Sequence, residues 1–391
     1  MHLAPTERQR ELRAELRSYF REVMAPEGGS PSDREDPAAQ RRLLRRIGAD
    51  GMLGLGWPVE YGGQGRGADE QFVFFDEAYR AGAPVSMVTL NTVGPTLMKY
   101  GTDEQKRAFL PKILSGDAVF AIGYSEPDAG TDLASLRTRA VRDAAGRWVV
   151  NGQKVFTSNA QHADWIWLAC RTDPGAPKHR GISILLVPTD APGFSWTPIE
   201  TVGGQITTAT YFDDVTVPAG NLVGEEDGGW GLITNQLNHE RVALAAIGMQ
   251  AEDFYAAALD HARTPDPVTG RRPIDSAWVR SRLAEAHALL AATRLLNWRL
   301  VGAVGAGSLA PGDASGVKFM GTESAVEVYR MCQQVVGDAG LMREGRFGEL
   351  ERMNRAAQIN TFGGGVSEVQ KEIVATMRLG MPRTSRHGGR P

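Results

Sequence analysis

Residues 148–156 read Trp-Val-Val-Asn-Gly-Gln-Lys-Val-Phe. The run is β-branched at its start. Asn-Gly is the dipeptide that two-residue hairpin turns favour, because both central positions need positive φ. The stretch therefore predicts two short strands joined at Asn151-Gly152. Further short apolar runs lie around it: DWIWLACR (164–171), GISILLVP (181–188), FSWTPIE (194–200) and ATYFDDVTVP (209–218). Turn residues separate them, with Asp213-Asp214 read as a turn or strand end. Strands this short and closely spaced predict a compact antiparallel barrel or sandwich over residues 119–220.

On both sides the apolar period changes from two to that of a helix. In residues 1–118, Thr6 and Gln9 have the spacing of a capping box ahead of Leu12, Leu16 and Phe20. Pro37 opens a second helix carrying Leu43, Leu44 and Ile47. GLGWPVEYGGQG (54–65) is a glycine-rich loop, and Thr102 with Gln105 caps TDEQKRAFLPKIL (102–114). From 221 to 391 long helical runs return at 230–248, 278–302 and 322–337, with lengths that suit a bundle. A helix–sheet–helix order is α+β and not a Rossmann pattern, because strands and helices do not alternate.

The chain has 391 residues, of which 42% are hydrophobic and 23% charged, with a formal net charge of −3. That balance gives no expectation of nucleic acid or an anionic membrane as partner. Cys170 and Cys332 are far apart and outside any metal-ligand spacing, so neither a disulfide framework nor a metal site is expected. No apolar run approaches the ~20 residues of a membrane helix. The charged N-terminus does not read as a signal peptide. A reduced, cytoplasmic setting is expected.

Four places could carry chemistry. The first is the polar loop Ile122-Gly123-Tyr124-Ser125-Glu126-Pro127-Asp128-Ala129-Gly130-Thr131-Asp132. Its backbone N–H groups and the Ser125 and Thr131 hydroxyls could hold a pyrophosphate or the edge of a heterocycle, or the loop could be a plain turn. The second is Phe156-Thr157-Ser158-Asn159, where an aromatic two residues before a hydroxyl could shield a flat ring or merely end a strand. The third is Glu240, on a helical face with Leu237, Ala243, Leu244 and Ile247. A carboxylate on an apolar stripe would have a raised pKa, as a general base needs, unless it reaches solvent or an arginine. The fourth is Gly363-Gly364-Gly365 before Ser367 and Gln370. The serine and glutamine have capping-box spacing, and the spot reads as either an anion-binding helix start or a tight turn.

Taken together, YSEPDAGTDLASLRTRA (124–140), KVFTSN (154–159) and LNHERV (237–242) resemble the acyl-CoA dehydrogenase family over nearly the whole chain. The resemblance implies an N-terminal helical domain (1–118), a middle antiparallel β-barrel (119–220) and a C-terminal four-helix bundle (221–391). It implies FAD-dependent α,β-dehydrogenation of an acyl-CoA thioester. Ile122, Gly123, Tyr124, Ser125, Gly130, Thr131, Phe156, Thr157 and Ser158 would bind FAD, and Thr131, Arg241 and Gly364 would face the substrate. Most members carry the catalytic glutamate near the C-terminus, at the position that aligns with Gly364. Glycine cannot take a proton, so the base is expected at Glu240, just before Arg241, as in a minority of the family.

Two further departures bear on assembly. PVTGRRPID (267–275) lacks the arginine and phenylalanine with which family members hold a neighbouring subunit's flavin. QVVGDAG (334–340) places Asp338 where a glycine is usual. These features resemble the base-bearing subunit of actinobacterial α2β2 enzymes that shorten steroid side chains. The implied partners are a second dehydrogenase-like subunit that completes the FAD site and an electron-transferring flavoprotein. The alternatives are a homotetrameric dehydrogenase for short or branched acyl-CoA, a non-catalytic structural subunit, and a flavin oxidase or monooxygenase on the same fold.

Overall fold

The structure is a computed structural model that describes residues 5–25, 36–239 and 248–382. The chain divides into two compact units, Pro5–Ala243 and Leu244–Pro391.

Among the described residues, the first unit begins with the helices α1 (Glu7–Val23), α2 (Pro37–Ala49), α3 (Ala68–Ala81), α4 (Gly94–Tyr100) and α5 (Asp103–Leu114). Local chemistry sets their starts. Thr6 Oγ1 accepts the Gln9 N–H and Gln9 Oε1 accepts the Thr6 N–H, and the same reciprocal pair joins Thr102 to Gln105. Asp36 caps α2 ahead of Pro37. Leu12, Leu16 and Phe20 are buried. The glycine-rich loop is built around Trp57, which is buried and donates its indole N–H to the Leu90 carbonyl at 3.0 Å. A Cβ on Gly94 would stand 2.1 Å from the Trp57 ring, so only glycine lets α4 pass there.

Eight strands follow: β1 (Phe120–Gly123), β2 (Arg139–Arg142), β3 (Trp148–Lys154), β4 (Trp165–Arg171), β5 (Ile182–Pro188), β6 (Phe194–Glu200), β7 (Ile206–Val217) and β8 (Leu222–Val223). They form one sheet in the order β6-β7-β3-β2-β4-β5-β8, with β1 also on β4. The sheet is mixed: β4 pairs in parallel with both β1 and β2, and the other pairings are antiparallel.

Asn151-Gly152 does not turn the chain. Both residues lie inside β3, at a register shift against β7 between Val150 and Gly152. This is a β-bulge. Gly152 has φ 145°, and a Cβ there would meet Thr138 at 2.6–2.8 Å. Asp213-Asp214, expected in a turn, lie within β7 opposite the bulge. Asp214 has φ 49°, its N–H donates to Asn151 Oδ1 and its carboxylate accepts from Asn151 Nδ2. The actual hairpin before β3 is Asp143–Arg147, closed by Gly146 at φ 78° and by the Asp143 carboxylate on the Ala145 and Arg147 N–H groups.

Helical and sheet segments share this unit closely. Gln105 Nε2 donates to the carbonyls of Gly220 and Leu222, both at 2.8 Å. Arg41 forks onto Asp164, and a π-helical turn, Val88–Val93, meets β1 through Thr89 Oγ1 on the Phe120 N–H. Helix α6 (Gly229–His239) starts against β5, where a Cβ on Gly229 would lie 2.7 Å from the Ile182 carbonyl.

The second unit contains α7 (Ala251–Arg263), α8 (Ala277–Gly305), α9 (Pro311–Val336), α10 (Gly348–Ala356) and α11 (Ser367–Ile373). Ala258, Leu283, Ala286, Val328, Tyr329, Cys332 and Leu350 belong to its core. Helix α9 starts at Pro311, well before the Thr322 suggested by the apolar pattern, and α7 was not singled out by that pattern. The helical run expected over 230–248 is described only to His239.

Candidate functional site

The sequence-predicted loop leaves β1 where side-chain space disappears. A Cβ on Gly123 would lie 2.9 Å from Ile166, 3.3 Å from Leu168 and 3.5 Å from the Lys154 stem. Beyond it, Glu126 and Ala129 exchange backbone hydrogen bonds of 2.9 and 3.1 Å, turning Pro127 and Asp128 out to solvent. Ile122, Tyr124 and Ser125 are half-buried, while Gly130 and Thr131 are exposed. The Tyr124 hydroxyl accepts from Trp167 Nε1 at 3.1 Å. The Ser125 and Thr131 hydroxyls are engaged by no other protein group among the described residues.

The second motif leaves β3 under strain. Phe156 has φ 60°, rare for an aromatic residue, and its side chain is 64% exposed. A large apolar ring exposed on strained backbone is an uncommon combination. Thr157 faces inward: its N–H donates to the Thr208 carbonyl, its carbonyl accepts from the Thr208 hydroxyl, and its own hydroxyl lies 3.3 Å from that of Thr210. Ser158 is exposed, with its hydroxyl 3.1 Å from Thr207 Oγ1. An open aromatic face, a hydroxyl beside it and the Ser125 and Thr131 hydroxyls of the first motif fit a flat heteroaromatic ring with polar edges. Thr157 supports that arrangement from behind.

The structure brings the two motifs together. The Val155 N–H donates to the Ser125 carbonyl at 2.8 Å. Lys154 Nζ donates to the Tyr124 carbonyl at 3.0 Å and to Glu126 Oε1 at 2.8 Å. The Glu126 carboxylate also accepts the N–H groups of Arg137 and Thr138, at 2.7 and 2.8 Å. Burial pushes the Glu126 pKa up, but the Lys154 ammonium and the two backbone donors outweigh it and hold the carboxyl below its usual range. Burial pushes Lys154 down, and Glu126 opposes that shift. Sequence reasoning did not assign this pair. The available signal was a lysine on the buried face of β3 with Trp148 and Val150.

The glycine segment lies in the second unit. Gly364 is exposed, with φ 66°, and a Cβ there would meet nothing within 4 Å. Ser367 and Gln370 do not form the expected capping box: Val366 is the N-cap residue, with no side-chain cap. The Ser367 hydroxyl instead donates to the Thr361 carbonyl at 3.1 Å, and Gln370 Nε2 reaches the Gly364 carbonyl at 3.4 Å. A short 3-10 turn, Ala357–Thr361, brings that carbonyl within reach and displaces the cap. Lys318 on α9 donates to the Gly365 carbonyl at 2.7 Å. Asp338 is exposed just past the end of α9. Glu240 and Arg241 lie outside the described residues.

Among the described residues no helix is long and apolar enough to cross a membrane, and no cluster of metal-ligating side chains is present. Comparison with known proteins matches three family descriptions: acyl-CoA dehydrogenase N-terminal domain over residues 6–117, middle domain over 121–215 and C-terminal domain over 227–378. The chain is 51% identical to acyl-CoA dehydrogenase FadE26 of Mycobacterium tuberculosis, over 99% of this chain and 100% of that one. Among solved structures, it resembles the Tcur3481-Tcur3483 steroid ACAD with a TM-score of 0.92 and 51% identity, over 98% of this chain and 100% of that one. It resembles the ChsE4-ChsE5 complex from Mycobacterium tuberculosis with a TM-score of 0.90 and 51% identity, over 98% and 100%.

Proposed function

The chain belongs to the acyl-CoA dehydrogenase family, and we propose from this that it is the base-bearing subunit of a heteromeric, FAD-dependent dehydrogenase acting on a steroid with a shortened side chain held as its CoA thioester. The observation that carries the reading is half-identity, over nearly full length, to chains whose structures are described as a steroid ACAD and as a two-protein complex. The unusual glycine at position 364 and the charged QVVGDAG segment support the same assignment.

In this reading Glu240 removes the α-proton of the acyl thioester, and Arg241 beside it contacts the substrate. FAD, when bound, supplies the acceptor for the hydride that leaves the β-carbon. Phe156 and Ser158 would flank the ring, and Ser125 and Thr131 would hold its polar parts. Gly364 stands where a side-chain base is usual in the family and leaves that volume to the acyl group, which suits a bulky ring system. The missing flavin contacts at 267–275 and the Asp338 carboxylate, which repels a pyrophosphate, require an unlike subunit to complete the site. An electron-transferring flavoprotein is the acceptor that the family suggests. The domain division 1–118, 119–220 and 221–391 and a cytoplasmic location complete the proposal.

The test is co-expression with candidate partner subunits, followed by FAD quantitation and assay on steroid and fatty acyl-CoAs. The complex should hold FAD and turn over the steroid thioester, whereas the chain alone should hold little FAD. Glu240→Gln in the complex should cost about 10²–10⁴ in rate, as loss of a general base does, with FAD retained. Stoichiometric FAD and turnover of simple acyl-CoAs by the chain alone would establish the homotetramer instead. Full activity of Glu240→Gln would leave the chain a structural subunit.

A further inference from the structure

Lys154 and Glu126 are the most deeply enclosed oppositely charged pair on the sheet, with relative exposures of 1% and 8%. A buried ion pair seldom adds net stability, because desolvating two charges offsets their attraction, and apolar replacements are often as stable or more so. Something other than stability accounts for these charges, and their contacts show what they do. One ammonium and one carboxylate touch the backbone at Tyr124, Arg137 and Thr138, and the Val155 N–H to the Ser125 carbonyl lies alongside. These groups come from both ends of the first motif loop and from the strand that carries the second.

We propose that the Lys154–Glu126 pair is the positioning element that locks segments 122–131 and 154–158 into one geometry and thereby sets flavin affinity. The inference rests on the reading above that these two segments hold the flavin. With the Tyr124 and Ser125 carbonyls both fixed inward, the loop backbone cannot rotate, so the Ser125 hydroxyl and the Phe156 ring keep a constant relation. Without the ammonium, the hydrogen bond from Lys154 to the Tyr124 carbonyl is lost and the loop is held less tightly against β3. Gly123 lies beside the pair: a side chain there would clash with Ile166 at 2.9 Å and come into contact with the Lys154 stem at 3.5 Å.

Lys154→Met alone would strand a buried carboxylate and risks misfolding. The informative variant is therefore Glu126→Gln with Lys154→Met, two neutral near-isosteres. The full chain in its flavin-containing assembly is stripped and titrated with FAD, following flavin fluorescence, and apoprotein unfolding is measured separately. The double variant should still unfold cooperatively, at a midpoint lowered by the lost Lys154–Tyr124 hydrogen bond and by the one backbone N–H, of Arg137 or Thr138, that faces the Gln amide nitrogen, while its FAD dissociation constant rises at least about tenfold, or ~1.4 kcal/mol. An unchanged dissociation constant and an unchanged flavin absorption band in folded protein would overturn the proposal and leave the pair a structural filler. Phe156→Ala separates the two levels. If it weakens FAD binding while the double variant does not, the pair has no positioning role and the flavin site stands. If neither variant affects FAD, both the pair's role and the assignment of these segments fail.

Discussion

The Lys318 ammonium, 8% exposed on α9, donates to the Gly365 carbonyl at 2.7 Å and fixes the glycine segment that precedes α11. Burial lowers the Lys318 pKa to about 8. An unfolded lysine keeps its proton to about 10.4. Between these values the unfolded chain binds more protons than the folded one, so this residue makes stability rise with pH across that window and fall again as pH drops towards 8. Lys318→Met should remove that component of the slope. At neutral pH it also orphans the Gly365 carbonyl, but it relieves the cost of a buried ammonium, so the net loss there should be smaller than the about 1–3 kcal/mol of the orphaned carbonyl alone. Urea unfolding of both proteins at a series of pH values measures both effects; parallel curves would refute the linkage.

Adjacent glycines in this segment should respond differently to the same methyl group. At Gly364 a Cβ enters open space, so Gly364→Ala costs only the positive φ of 66°, about 1–2 kcal/mol. At Gly365, φ is 105° and a Cβ would lie 2.4 Å from Gln370 Nε2, the group that reaches the Gly364 carbonyl. Gly365→Ala should therefore be the more destabilising of the two. Thermal unfolding of the two single variants decides it, and equal midpoints would mean that the segment relaxes freely.

The bulge in β3 offers a test on the sheet. Gly152→Ala drives a methyl group into Thr138 and has φ 145° to contend with, so a loss of about 2–3 kcal/mol or more is expected, in the range of overpacking. Asn151→Ala removes two hydrogen bonds to Asp214 at a more open site and should cost about 1 kcal/mol. Denaturant midpoints should rank Gly152→Ala well below Asn151→Ala; the reverse order would show that the side-chain bridge, not the glycine, holds the bulge.

What was legible in the sequence was what neighbours in sequence decide. The capping boxes at Thr6 and Thr102 and the Pro37 start formed as read, because donor and acceptor lie three residues apart. The change of period near residues 119 and 220 located the sheet. Distant partners overturned the rest. Asn151-Gly152 has the chemistry of a tight turn, but Asp214 and Thr138, remote in sequence, hold it as a bulge in a continuous strand. Ser367 and Gln370 have capping-box spacing, but the Thr361 and Gly364 carbonyls take their hydrogen bonds. The site loops were recognisable as polar interruptions of the β pattern. The ion pair that joins them spans residues 126 and 154, and no local signal pairs those two.

Phe156 combines backbone strain with exposure, and the two should separate under mutation. Glycine adopts φ 60° without the clash that an aromatic residue meets there, which relieves about 1–2 kcal/mol. Against this, glycine adds unfolded-state entropy worth about 0.5–1 kcal/mol. Because the ring is 64% exposed, little packing is lost with it. Phe156→Gly should therefore leave apoprotein stability unchanged or slightly raised, while, on the proposed assignment of this segment to the flavin, flavin binding weakens through loss of the aromatic face. Thermal unfolding of the apoprotein and FAD titration of the same preparation read the two effects independently. A variant that loses stability but binds flavin normally would show the ring to be a packing group, and the strain at this position to have no functional origin.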